Sequence, residues 1–355
     1  MVACNAMDIL EPNTSLIKRQ LGWSAAVLGV VVVLWSVYWK VAADQAVDGA
    51  QSWAVEQQKA GYKINWQEFD ASGYPFSLDI DVLMPVIEAR DEWRWSTQKL
   101  EFHASLWDWS EIDVSAPTQH RIFLSRGTKF HTYDLSAKTL NAHIILDGEG
   151  IQSLNVHTTS LKILEEERSL GGLDSGQVRL EITAAAGADY STMAGALEAR
   201  LQGIEMPDLS ISPLGSDISR LSFRAELFGG PPSALTPQEL TAWRDLGGVI
   251  EVRHLILGYG PLELETAGTM ALDKELQPIG SLTAQVQGYA EAIDAMRVSG
   301  MISGGDAFGA KLLLGALSKA DPSTGKSGLS IPLSLQQKTL HAGPIALAKI
   351  PSVIW

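Results

Sequence analysis

Residues 20–39 read QLGWSAAVLGVVVVLWSVYW, twenty positions without a charge. A helix rises about 1.5 Å per residue, so a run of this length matches the ~30 Å hydrocarbon core of a bilayer. No later stretch repeats it, and the chain is expected to cross a membrane once. The valines Val30 to Val33 are no obstacle, because a helix in lipid must satisfy its own backbone whatever its propensity in water. Trp23 lies near one end, and Trp35, Tyr38 and Trp39 lie near the other, where amphipathic rings meet the headgroups. Lys18 and Arg19 precede the run, whereas Lys40, Asp44 and Asp48 follow it, a bias that places the N-terminus in the cytoplasm. Val41-Ala42-Ala43 has the small residues of a signal-peptidase site, but the apolar run exceeds the roughly 7–15 residues of a signal core and Lys40 interrupts the approach. An uncleaved anchor is expected. Cys4 is incidental: a lipoprotein acceptor cysteine follows its apolar segment, and this one precedes it. Met7 stands beside Met1 as an alternative start.

Working outward, the expected plan is a cytoplasmic tail over 1–19, the transmembrane helix over 20–39, a stalk helix over 43–61 and an ectodomain over 62–355. The stalk has Ala46, Ala50, Trp53, Ala54 and Gln57 at helical spacing and a C-capping glycine at Gly61. Beyond it the period becomes two. Phe76, Leu78, Ile80 and Val82 alternate with Ser77, Asp79 and Asp81, and the pattern returns in Val178-Leu180-Ile182, Leu221-Phe223-Ala225-Leu227 and Leu282-Ala284-Val286. Repeated half-wet strands at short intervals argue for antiparallel pairing. Trp93, Trp95, Trp107 and Trp109 come in pairs spaced by two, each pair on one strand face. The fold class is therefore mainly β: a single transmembrane helix followed by a large, curved antiparallel sheet with a few packed helices.

Thr236-Pro237-Gln238-Glu239 opens one helix with an N-cap threonine, and Gly247-Gly248 stops it. A sub-boundary of the ectodomain falls near 230–248. Two more helices are expected over Tyr289 to Met296 and Asp306 to Ala320, the second packing Phe308, Leu312, Leu313 and Leu317 against the sheet or over its end. Final strands follow over Leu329 to Leu335 and Ile345 to Leu347.

From Val41 onward 24 Lys and Arg face 39 Asp and Glu, a formal charge of −15. Such a surface repels phosphate backbones and anionic headgroups, so no nucleic-acid partner is expected. This part also lacks cysteine, so disulfides cannot staple the fold.

Gly73-Tyr74-Pro75-Phe76, the run GYGPLELETAGTMALDKELQPIGSLTAQVQG over 258–288 and the tail LSLQQKTLHAGPIALAKIP over 333–351 carry a resemblance. The chain resembles the domain of unknown function family numbered 2125, uncharacterised single-span proteins mostly of alphaproteobacterial envelopes. The middle run is also similar to the C-terminal region of AsmA-like envelope proteins, which implies a role near outer-membrane or lipid homeostasis. In physical terms, that run reads as a β-hairpin whose polar loop is Asp273 to Pro278. Gly258, Gly260, Gly268, Gly280 and Gly288 either permit bends and close backbone approach in a curved sheet or mark loops. A bent sheet can hold an acyl chain, and Leu262, Leu264, Met270, Leu282 and Val286 are the expected lining of such a groove.

Catalytic and metal signatures are missing. Ala320 to Ser327 nearly matches a phosphate-binding loop, but it follows a helix and precedes a strand, the reverse of a working loop. His103, His120, His131, His143 and His157 fall within 55 residues without an HExxH or a close His-x-His pair. Glu165-Glu166-Glu167-Arg168 reads as a solvated turn. No serine sits in a G-x-S-x-G elbow. The reading is thus a protein that is not an enzyme, without cofactor or metal, anchored in the bacterial inner membrane with a periplasmic ectodomain. Its partners are the lipid bilayer and a lipid or other apolar ligand in a β groove; the alternative is a noncatalytic envelope assembly or scaffold factor. Protease added to spheroplasts is expected to digest everything after Val41 and leave a small anchored fragment, whereas full protection would overturn this orientation.

Overall fold

The computed structural model describes residues 14–353 apart from 60, 90–91, 117–118, 127–128, 149, 184–190, 210–211, 231, 233–235, 321–326 and 344. Met1, Cys4, Met7 and the side chains of Lys18, Arg19 and Trp23 lie outside what is described. Helix α1 (Thr14–Lys59) runs 46 residues without a break, joining the expected span and stalk into a rod of about 69 Å. From Val27 to Leu34 it is exposed on every side. Among the described residues it alone is long and apolar enough to cross a membrane. Further along, Ala42, Ala43 and Ala54 are buried, small side chains that let the sheet approach the helix closely.

Nine short strands come first: β1 (Tyr62–Asn65), β2 (Glu68–Ser72), β3 (Ser77–Leu83), β4 (Val86–Ala89), β5 (Trp93–Thr97), β6 (Lys99–Ser105), β7 (Asp108–Ser115), β8 (Gln119–Arg126) and β9 (Lys129–Ser136). Longer ones follow as β10 (Thr139–Asp147), β11 (Gly150–Glu165), β12 (Arg168–Ile182), β13 (Met193–Glu205) and β14 (Asp217–Phe228). Helix α2 (Pro237–Asp245) leads into β15 (Val249–Tyr259), β16 (Leu262–Leu272) and β17 (Pro278–Gln287). Helices α3 (Tyr289–Val298) and α4 (Gly304–Leu317) precede the short β18 (Lys319–Ala320), and β19 (Ser327–Gln336), β20 (Thr339–Ala342) and β21 (Ile345–Lys349) end the fold.

All pairings are antiparallel, and they form one sheet that does not close on itself. From β10 to β17 every strand pairs with its neighbour in the chain. At β11 the sheet forks. The first half of β11 pairs with β10, which leads through β7, β6 and β3 to β2. The second half pairs with β9, which leads through β8, β5 and β4 to β1. Ser160, in the left-handed region at φ 51°, marks the switch between the two partners. The run Glu165 to Arg168 makes the tight β11–β12 turn, with Glu166 and Glu167 at φ 48° and 68°.

Helix α2 starts as its sequence directs, the Thr236 hydroxyl accepting from the Glu239 N–H at 3.4 Å with Pro237 in the first turn. Its Leu240 and Trp243 pack on Leu272 and Leu276 and cap the strand ends there. Two expectations need correction. Trp107 lies in the β6–β7 turn, not in a strand beside Trp109. In α4 it is Ala307 that is buried, while Phe308, Leu312 and Leu313 face outward and the Leu317 side chain lies outside what is described: α4 packs on α3 and touches the sheet at β19, and among the described residues nothing covers those larger side chains.

The polar face of the sheet is held by ions. Arg253 donates to the Glu226 carboxylate at 2.6 Å and Arg224 donates to it at 3.1 Å, while Arg224 also reaches Glu198 at 3.4 Å. Burial pushes the Glu226 carboxyl up, but the hydrogen bonds from Arg253 and Arg224 outweigh it and hold the group below its ordinary value of 4.5. The native stability this pairing supplies is present above that ordinary value and lost as pH falls through the depressed one. Glu226→Gln is therefore expected to flatten the fall of the thermal midpoint between about pH 5 and about pH 3 for the full chain in detergent. Equal slopes for parent and variant would refute this assignment.

Candidate functional site

Cross-strand registers assemble a single apolar row across the sheet. Leu78 of β3 faces Ala104 of β6, then Ile112 of β7, Ile144 of β10 and Leu154 of β11. The row continues through Leu180, Leu197, Ala225, Val252 and Gly268 on β12 to β16. It ends through Leu282, Leu333, Ala342 and Ile345 on β17, β19, β20 and β21. All fourteen positions are apolar or glycine, and at about 4.8 Å between strands the row is about 62 Å long. A parallel row from Ile80 through Phe102, Val114, Ala142, Val156 and Val178 to Ala199, Phe223 and Leu255 has the same character. Its next member, Thr266, is polar.

Away from α1, α2 and α3, this face has little protein over it among the described residues. Strands β12 to β17 contact their paired neighbours and little else. Among the described residues no large side chain is completely buried, and Val178, Ile182 and Leu197 are exposed on the face itself. The chain exposes 23002 Å², against about 14,000 Å² for a compact protein of this mass.

The hairpin residues singled out from sequence all fall on this face. Leu264 pairs with Val286 and Gly268 with Leu282, while Leu262 and Met270 share the parity of Leu264. All five are half-buried. The glycines divide by position. Gly268 lies within β16, where a Cβ would collide with the Ser281 carbonyl, and Gly288, at φ 72°, ends the hairpin against the Pro261 carbonyl. Between the two arms the face folds toward itself, leaving a cavity of about 290 Å³ lined by Trp95, Ile122, Leu135, Leu140, Val156 and Leu161.

At the end of the row nearest α1, the aromatic residues expected at the membrane interface do a second job. Trp35 donates its indole N–H to the Pro75 carbonyl at 2.6 Å, and Trp39 donates to the Ser77 carbonyl at 2.8 Å. Trp109 donates to the Tyr38 hydroxyl at 3.2 Å, and the Trp35 ring stacks on Trp107 at 4.5 Å. Ala42 and Ala43 then bury Leu78 and Leu106. Helix and sheet are thus clasped through Gly73-Tyr74-Pro75-Phe76 and the β6–β7 turn. The i, i+4 spacing of Trp35 and Trp39 was the signal in the sequence, but it is equally the signal of two headgroup anchors.

Of the five histidines, His120 is buried and lines the apolar cavity; the others sit elsewhere. His103 and His143 lie on the polar face, their Nδ1 atoms 2.5 Å from Asp79 and 2.8 Å from Asp113, and His131 lies 2.7 Å from Glu165. His157 joins His103 and His143 around a polar recess of about 620 Å³. Among the described residues no three His, Cys, Asp or Glu side chains are placed to hold a metal. Of the near phosphate-loop motif, residues 321–326 lie outside the described residues.

A family described as "Uncharacterized protein conserved in bacteria (DUF2125)" matches residues 39–351. No curated protein and no solved structure matches the chain.

Thr266 supplies a direct test of the face's chemistry. It is 4% exposed, and its hydroxyl has no hydrogen-bond partner among the described residues. An unpaired buried hydroxyl costs about 1–3 kcal/mol, so Thr266→Val is expected to raise unfolding stability by about 1 kcal/mol. A loss of stability in chemical denaturation would show that the hydroxyl is satisfied.

Proposed function

This chain belongs to the DUF2125 family of bacterial proteins, and we propose that it is a membrane-anchored envelope protein that shelters acyl chains on the apolar face of its sheet. The observation that carries the reading is the row from Leu78 to Ile345, apolar or glycine throughout, in which Leu197 is exposed and eight further members are only half-buried. An apolar face of this extent in water needs an occupant, since exposed contiguous apolar surface is rare in proteins that bind nothing. Its shape, one strand deep and many strands long, fits an extended hydrocarbon chain better than a compact ligand. The charge pattern around α1 supports an inner-membrane anchor with the sheet in the periplasm. Net acidity argues that the ligand is held by apolar contact and not by attraction to an anionic headgroup.

A second reading, a noncatalytic assembly scaffold, draws on the outward Phe308, Leu312 and Leu313 of α4, which offer a protein partner an apolar helix face. One experiment separates the two. A photoreactive benzophenone amino acid placed at position 264 or 197 of the full chain, irradiated in membranes, is expected to gain lipid mass. The same group at Glu265 or Glu198, on the other face, is expected to gain none. Met270→Lys should lower the lipid captured at position 264, because it sets an unpaired charge against acyl chains. Protein adducts in place of lipid at positions 264 and 197 would replace the groove reading with the scaffold reading.

A further inference from the structure

The clasp between α1 and the sheet fixes more than an angle. Trp35 and Trp39 belong to the last turn and a half of the uncharged run, and their partners are the carbonyls of Pro75 and Ser77. The Tyr74 hydroxyl also bonds Ser36 at 2.8 Å, and the Tyr74 ring meets Trp39 edge-on at 5.8 Å. The turn before β3 is therefore held level with Trp35, about 6 Å nearer the centre of the run than Trp39. The β6–β7 turn is held at the same level by the Trp35–Trp107 stack.

Even so, these turns leave large rings exposed. Phe76 is 69% exposed and Trp107 70% exposed, and Tyr74 is exposed beside them. Large rings in water at this density are unusual, but Trp and Tyr are the side chains that settle at headgroup depth. The bilayer that the adjacent helix crosses is already at this height. The acidic surface offers no electrostatic attraction, so the contact rests on the rings themselves.

We infer that the Gly73 to Phe76 turn and the β6–β7 turn form a second membrane contact, with Phe76 and Trp107 seated in the interfacial layer of the leaflet from which α1 emerges. The contact rests on reading α1 as the anchor; it does not require the groove to hold lipid. It also sets the start of the apolar row beside the bilayer, because Leu78, its first member, buried under Ala42 and Ala43, lies two residues beyond Phe76. The row then begins at the bilayer surface.

The test uses the full chain in proteoliposomes of phosphatidylcholine and phosphatidylglycerol, with Cys4→Ser and one environment-sensitive fluorophore on Phe76→Cys or Trp107→Cys. Met84→Cys is the control: Met84 is also exposed and apolar, but lies at the opposite end of β3, about 23 Å along the strand. Labels at 76 and 107 are expected to emit further to the blue and to be quenched by lipids brominated high on the acyl chain, while the label at 84 is not. Phe76→Cys leaves the Trp35–Trp107 stack intact, so its result stands if Trp107→Cys loosens the clasp. A label at 76 as unquenched as that at 84 overturns the contact. Quenching at 76 without lipid capture at position 264 upholds the contact and removes the groove reading alone.

Discussion

A strand that slips by one residue against its neighbour turns its whole apolar set to the other face. In this sheet that constraint is met at every pairing along the row from Leu78 to Ile345, and the two-faced character of the molecule depends on it. Where the ladder is irregular, the irregularity preserves the face. β15 holds an extra residue at Arg253–His254, so Val252 and Leu255, three positions apart, both remain on the apolar side. The same bulge brings Arg253 to Glu226, tying the polar side where the ladder is interrupted.

A one-layer sheet changes where stability comes from. A compact domain buries large side chains between layers, and among its described residues this one has only local clusters, under α2 at Trp243 and under α1 at Leu78. Most of its apolar side chains are covered by neighbours on adjacent strands, the pairwise contacts that stabilise any sheet. Charged pairs on the other side, together with net acidity, keep that face in water and oppose stacking of sheet on sheet.

Much of this was legible in the sequence because it is local. The uncharged run, the helix opened by Thr236-Pro237, the hairpin from Leu262 to Gln287 and the period-two strands each follow from a few adjacent residues. Leu264, Met270, Leu282 and Val286, expected from sequence to line one surface, share a face because parity within a hairpin is fixed by its turn. Register between distant strands is not local. Nothing in Thr159 to Lys162 announces that β11 will leave β10 for β9, and alternation alone cannot say which of two faces will be covered. The clasp was hidden for another reason: Trp35 and Trp39 satisfy two demands at once, and the demand made by the bilayer explains them without the sheet. Phe308 and Leu312 misled because helical periodicity reports an apolar stripe but not whether anything lies against it.

The meander from β10 to β17 has a consequence for how such a chain can change over time. Each strand there pairs with the one just made, and each hairpin presents the same face, so the unit of growth is a hairpin of two strands. Duplicating one would lengthen the row by about 10 Å while leaving the clasp at one end and the β19–β21 end at the other unchanged. Span length in this architecture is set by a count of repeats, as in a solenoid, and so can vary among relatives without altering the end clasped to α1.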